Sequence, residues 1–166
     1  MGLKRIILHW SAGTHTVSGL DRSHYHFIVG GDAKTVAGVH APEANIRPVK
    51  GRYAAHTLNC NTGSIGVAVA AMAGAVERPF NPGKYPITPV QLDALAALVA
   101  GLCRKYGIPV SRTTVLTHAE VQGNLGIKQR GKWDICWLPG LAGPVAPTTA
   151  GDEIRRRVCA AIGAAK

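Results

Sequence analysis

Hydrophobic positions along this chain change their spacing from element to element, and the changes mark where one element gives way to the next. Ile6-Ile7-Leu8 is an unbroken aliphatic run, which predicts a short strand over Arg5–Trp10 that is buried on both faces. The strand closes at His9, just before the turn-prone Ser11-Ala12-Gly13. Thr14–Asp21 reads as a polar loop, and His24–Val29 as a second strand of aromatic and β-branched residues. Gly30-Gly31-Asp32 turns the chain into a third strand, Lys34–Val39, and so makes a hairpin. From His40 to Thr62 the chain is irregular, broken by Pro42, Pro48 and Gly51. Ser64–Ala70 resumes as a small-residue strand with a central place in the sheet, and Val76–Ile87 is loop.

The clearest local signal opens at Thr88. Thr88 is placed to cap a helix, Pro89 suits its first position, and Gln91 completes a capping box. Leu95, Leu98, Val99, Leu102 and Tyr106 then share one face, and Gly107 ends the helix. That face must pack on the sheet. Arg112–Thr117 predicts another strand, which also ends in a histidine, His118. Val121–Gly140 reads as a loop carrying Trp133, Asp134, Cys136 and Trp137. A linker, Pro144–Thr149, leads to a last helix, Asp152–Ala164, with Ile154, Val158, Ala161 and Ile162 inward. There is no internal repeat. The expected architecture is a single α/β domain, a central mixed β-sheet flanked by α-helices.

Composition narrows the class. At 166 residues, 46% hydrophobic and 17% charged, the chain can bury a real core and is not disordered. No apolar stretch is long enough to cross a bilayer, so stable membrane insertion is not expected. Lys4-Arg5 is followed by no long apolar segment and no small-residue cleavage site, so the expected location is the cytoplasm of the producing cell. Cys60, Cys103, Cys136 and Cys159 form no C-x-x-C pair and read as reduced thiols, mostly buried. The net charge of +10 calls for an anionic partner: nucleic acid, an acidic cell-wall polymer or an anionic membrane. Nucleic acid is disfavoured, because aromatics are only 5% and no dense basic helix or recognition motif is present.

Two predicted strands thus end in histidine. If they are neighbours in the sheet, His9 and His118 meet at one rim. A third ligand from the following loop, Asp134 or Cys136, would complete a zinc site with one open position, the arrangement that catalytic zinc needs.

At these residues the chain resembles the zinc-dependent N-acetylmuramoyl-L-alanine amidases of the amidase-2 type. That family includes phage lysozyme-type amidases, cell-wall recycling amidases and peptidoglycan recognition proteins. The pieces occur in the family's order from Ile6 to Pro139. They are Ile7-Leu8-His9-Trp10-Ser11-Ala12, then Tyr25-His26-Phe27-Ile28-Val29, then Ala55-His56 with Asn61-Thr62-Gly63-Ser64-Ile65-Gly66-Val67. Thr88-Pro89-Val90-Gln91-Leu92, Val115-Leu116-Thr117-His118-Ala119-Glu120 and Lys132-Trp133-Asp134 complete the set.

The resemblance implies a catalytic domain over residues 1–143, with 144–166 a linker and C-terminal helix packing on the same domain. It implies Zn²⁺ held by His9, His118 and Asp134, and hydrolysis of the amide between N-acetylmuramic acid and L-alanine. Lys132 would stabilise the oxyanion, and Tyr25 would hydrogen-bond the nucleophilic water or the intermediate and help move its proton. His26, His56, Trp10 and Trp133 are the candidate substrate contacts. The implied partner is peptidoglycan, and the implied protein is a monomeric endolysin acting on the wall after its release. The rival reading is a non-catalytic peptidoglycan-binding module, against which both histidines and Asp134 argue.

Three features depart from the family's pattern. The loop between His9 and Tyr25 is short and carries no expected helix, leaving that side of the groove open. Ala68 stands where recycling amidases carry a glutamate, which shifts the burden to Tyr25. Asp134-Ile135-Cys136 lacks the proline after the ligand; Cys136 is the rival third ligand, and Lys132, two residues ahead, favours Asp134. Glu120 reads as a solvated or loop-fixing carboxylate.

Overall fold

The aliphatic run near the N-terminus becomes an interior strand of a five-stranded sheet. In the computed structural model, which describes residues 2–164, strand β1 (Arg5–Trp10) pairs in parallel with two others. These are β4 (Ser64–Val69) on one side and β5 (Val115–Thr117) on the other. Strand β2 (Phe27–Val29) lies parallel to β4 at its far edge, and β3 (Thr35–Ala37) pairs antiparallel with β2, giving the order β3-β2-β4-β1-β5. The sheet is mixed and flanked by helices, as the pattern of elements predicts. Every residue of β4, and all of β1 after Arg5, is buried. That is why these strands are continuous aliphatic and small-residue runs rather than alternating ones.

Alternation along the strands assigns the two faces. Ile6, Leu8 and Trp10 join Ile65, Val67, Val69 and Val115 in the larger core, against α2 (Pro89–Tyr106) and α4 (Pro147–Ala164). Helix α2 has both halves of its capping box: Gln91 N–H donates to Thr88 Oγ1 at 3.2 Å, and Thr88 N–H to Gln91 Oε1 at 3.1 Å. Gln91 Nε2 also donates to Ala70 O at 2.9 Å, tying the helix start to the chain leaving β4. On the opposite face, Ile7 and Leu116 pack with Val121 of α3 (His118–Leu125), and Ala68, Ala70 and Ile28 with Tyr25. Small residues leave this side of the sheet shallow beside His9.

Several elements differ from the sequence expectation. The second strand begins at Phe27, because His24 ends a helix, α1 (Gly19–His24), in the segment expected to be loop. Ser18 and Asp21 cap it reciprocally, Asp21 N–H to Ser18 Oγ at 3.1 Å and Ser18 N–H to Asp21 Oδ2 at 2.9 Å. A helix therefore does stand between His9 and Tyr25. The third strand shrinks to Thr35–Ala37, and the long irregular stretch holds one 3-10 turn, Pro42–Asn45. The Arg112–Thr117 strand is regular only from Val115, after a turn in which Ser111 N–H donates to Thr114 Oγ1 at 3.0 Å. The expected loop from Val121 opens inside α3. The last helix starts at Pro147, where proline needs no hydrogen-bond partner, so the expected linker is half helical.

Candidate metal centre

Strands β1 and β5 are adjacent and in register, with Leu8 beside Thr117, so the next residues, His9 and His118, reach the same rim. Their ring centroids are 4.7 Å apart. The chain after α3 returns Asp134 to this rim, where Ala119 N–H donates to Asp134 O at 2.7 Å. Asp134 Oδ2 lies 3.0 Å from His9 Nδ1 and 3.2 Å from His118 Nδ1. The three prospective ligand atoms all lie within 4.8 Å of one another, on three buried residues.

The outward nitrogens are engaged elsewhere. His118 Nε2 is 2.9 Å from Gln129 Oε1, and His9 Nε2 is 3.3 Å from His56 Nδ1 and 3.4 Å from Thr57 Oγ1. Burial pushes the His9 imidazole down to about 4, so that ring is neutral at physiological pH. Burial works to raise the Asp134 carboxyl, but its contacts with His118 and His9 outweigh it and hold it below its ordinary value. With the ring protons on Nε2, both Nδ1 lone pairs would turn toward the Asp134 carboxylate. Three acceptors so close together need positive charge between them, and burying a carboxylate without it is costly. Two imidazoles and a carboxylate, drawn from distant segments, are also a three-ligand donor set suited to zinc with one open position. The residues fit the metal.

The other expected site residues divide into two groups. Tyr25 packs at the centre, its ring centroid 5.1 Å from that of His9. Tyr25, His56, Lys132, Trp133 and Asp134 line one cleft of about 510 Å³. A larger groove of about 830 Å³ shares His56, His118, Arg130 and Lys132 with it and extends along Tyr53 and Asn61. Gly66 makes this arrangement possible, since a Cβ there would overlap the His56 ring.

His26 is not available to a substrate, which corrects the sequence expectation. It is 1% exposed, Gly66 N–H donates to its Nδ1 at 2.9 Å, and its Nε2 is 3.0 Å from Asn45 Oδ1. Both nitrogens are spent on holding the irregular segment against β4. Trp10 is mostly buried in the core, with its ring edge-on to Trp133 at 4.5 Å, and contributes to the lining of the cleft. It backs Trp133, the half-exposed ring that walls the cleft. Cys136 is not part of the triad: it faces a separate depression with Glu77, Arg78 and Trp133, and burial pushes its thiol up to about 12.

Gln129, Thr57 and Asn45 are polar residues around the centre whose roles sequence reasoning missed. No periodicity or motif marks them, because their partners are histidine rings and backbone groups that folding gathers around the centre. Glu120 did carry a signal, the Thr117-x-x-Glu120 capping pattern. It is buried rather than solvated: Thr117 N–H donates to Glu120 Oε2 at 2.9 Å, and Arg155 of α4 donates to both carboxylate oxygens at 2.9 and 2.8 Å.

A family model described as N-acetylmuramoyl-L-alanine amidase matches residues 2–139. Among solved structures, the N-acetylmuramoyl-L-alanine amidase LysC from Clostridium intestinale URNW is 19% identical, with a TM-score of 0.55 over 95% of this chain and 87% of that one. AmiD from E. coli, in complex with anhydro-N-acetylmuramic acid-L-Ala-D-gamma-Glu-L-Lys, is 19% identical, with a TM-score of 0.50 over 70% of this chain and 48% of that one. At these identities the likeness is one of fold. No curated protein matches the chain.

Proposed function

The chain belongs to the N-acetylmuramoyl-L-alanine amidase family, and from that premise we propose that it is a zinc-dependent peptidoglycan hydrolase of the endolysin type. The bond cut is the amide between N-acetylmuramic acid and the L-alanine of the stem peptide. The observation that carries this reading is the buried convergence of His9 Nδ1, His118 Nδ1 and Asp134 on one rim of the sheet. Zinc bound there supplies a Lewis acid and lowers the pKa of water toward neutrality.

The chain's own residues supply the rest. Lys132 stands on the same cleft, where its ammonium offsets the negative charge that develops on the carbonyl oxygen of the attacked amide. Burial, with the nearby charges of Asp134 and Asp21, raises the Tyr25 phenol. It therefore stays protonated and can donate to that oxygen or help deliver a proton to the leaving amine. Ala68, the register neighbour of His9, carries no carboxylate, so that work falls to Tyr25. Trp133 walls the cleft with an aromatic face suited to a sugar ring, and the larger groove has the length and polarity for a peptide. The net charge of +10 supports action on an anionic wall.

The test is direct. Purified protein is expected to hold about one zinc, as a single three-ligand site requires. It should release new L-alanine amino termini from purified peptidoglycan, with a chelator abolishing the release and added zinc restoring it. A zinc-loaded protein that sediments with peptidoglycan but frees no amino termini is a binding module instead.

A further inference from the structure

The side chain that meets the outward nitrogen of His118, Gln129, lies outside the triad. Gln129 is only 3% exposed. Its Nε2 is 2.9 Å from Leu58 O and 3.3 Å from Ile127 O. Two carbonyl oxygens can be met only by the amide nitrogen, so the side chain has one orientation. The atom 2.9 Å from His118 Nε2 is therefore Oε1, which only accepts, and the imidazole proton must sit on Nε2. An imidazole that binds a metal ion through one nitrogen keeps its single N–H on the other. With that proton held on Nε2, the nitrogen turned to the rim is His118 Nδ1, 3.2 Å from Asp134 Oδ2.

We propose that Gln129 is a positioning residue for the metal centre: it fixes the ring plane and tautomer of His118 so that Nδ1 is ready to bind a divalent ion. The inference rests on the metal-dependent reading above. Gln129 is itself held from two sides. Its own N–H donates to Gln122 Oε1 of α3 at 3.1 Å, and its amide nitrogen grips the Leu58 carbonyl across the chain. Leu58 belongs to the wall of the larger groove. One amide thus ties His118 to the groove wall. His9 has no equivalent; its outward nitrogen meets His56 and Thr57 at 3.3 and 3.4 Å, contacts long enough to leave the ring less firmly held.

The test compares wild type with Gln129→Met, of similar length but without hydrogen bonds, and Gln129→Glu, which keeps the acceptor and loses the donor. Two quantities are read: the zinc Kd by competition with a chromophoric chelator, and the His118 tautomer in zinc-depleted protein from long-range ¹H–¹⁵N NMR. Wild type is expected to show the Nε2–H tautomer. Gln129→Met should show a tautomer mixture and bind zinc about 10–100-fold more weakly, the usual effect of losing such a partner. Gln129→Glu, whose carboxylate still accepts from Nε2–H although it no longer grips the Leu58 carbonyl, should keep the tautomer and lose less zinc affinity than Gln129→Met. A residue that merely braces the loop would lower the melting temperature of both variants and move neither readout, and that result overturns the proposal. If Gln129→Met does not fold, Gln129→Glu decides alone: loss of the Nε2–H tautomer in it overturns the proposal, and its retention supports it. A wild type that binds no zinc would sink the metal reading separately, because the tautomer is measured without metal.

Discussion

Asp134 and Cys136 are two residues apart, yet only Asp134 reaches the rim where the histidines meet. Asp134→Ala should therefore lose zinc and hydrolysis together, by more than the roughly 10–100-fold that removing an outer partner costs. Cys136→Ala should keep both, measured by metal analysis and release of L-alanine amino termini. A different prediction attaches to His26, whose pKa burial lowers to about 4 from 6.5. Between those values the unfolded chain takes a proton that the folded chain refuses, so its contribution is complete above pH 6.5 and is lost as pH falls toward 4. A shift of that size corresponds to about 3 kcal/mol. Thermal melts should show wild type weakening over this window, and His26→Gln, less stable at pH 7, weakening less. His9, His118 and Asp134 were legible in the sequence because strand ends and a short lysine-led motif mark them. His26 and Gln129 were not, since the role of a buried polar group depends on backbone atoms that only folding brings to it. The same tyrosine–histidine pair that suggested two site residues contains one residue that lines the cleft and one structural peg.

Among the elements, α2 was readable to the residue because its cap, its proline, its apolar face and its closing glycine all agree. Helices α1 and α3 are six and eight residues long, too short for a 3.6-residue period to stand out. Their Ser18-x-x-Asp21 and Thr117-x-x-Glu120 patterns were the available signals, and in the second Thr117 also ends β5. Glycines in two long helices give predictions of opposite sign. A Cβ on Gly151 of α4 would overlap the Glu120 carboxylate, which Arg155 holds from both oxygens and which cannot swing aside. Gly151→Ala should cost about 1–3 kcal/mol, as overpacking in a tight interior does. Gly101 of α2 has nothing within 4 Å of a built Cβ. Gly101→Ala should stabilise by about 1 kcal/mol through helix propensity. Urea melts of the two variants beside wild type check the pair, and equal signs would mean that α4 does not lie against Glu120 as described.

On the scale of the whole molecule, charge and the last helix govern different things. The net charge of +10 acts at long range and is screened within about 8 Å at physiological salt. Raising salt should slow cleavage of intact wall much more than cleavage of a small soluble muropeptide, and equal slowing would place the effect in the catalytic cleft instead. Helix α4 acts through contact. It lies beyond the stretch that carries the family's motifs, yet Ile154 and Val158 are wholly buried in the core that holds Leu95 and Val115. Burying two such side chains contributes about 1.5–3 kcal/mol each. Arg155 adds a second link, donating to Val115 O at 2.8 Å and pairing with the buried Glu120 at the start of the helix that bears His118. Removing one partner of a buried pair costs about 3–5 kcal/mol. Together these losses rival the roughly 5–15 kcal/mol that holds a typical domain. A chain ending at Gly143 is therefore expected to show no cooperative melt, no near-ultraviolet signal from its tryptophans and no stoichiometric zinc. Arg155→Met, which keeps the apolar contacts, should fold with a lowered melting temperature. If the shortened chain instead melts cooperatively and binds zinc, the motif-bearing segment is self-sufficient and α4 only shields it; if it does not, the metal rim is held in place by a helix that contributes no ligand to it.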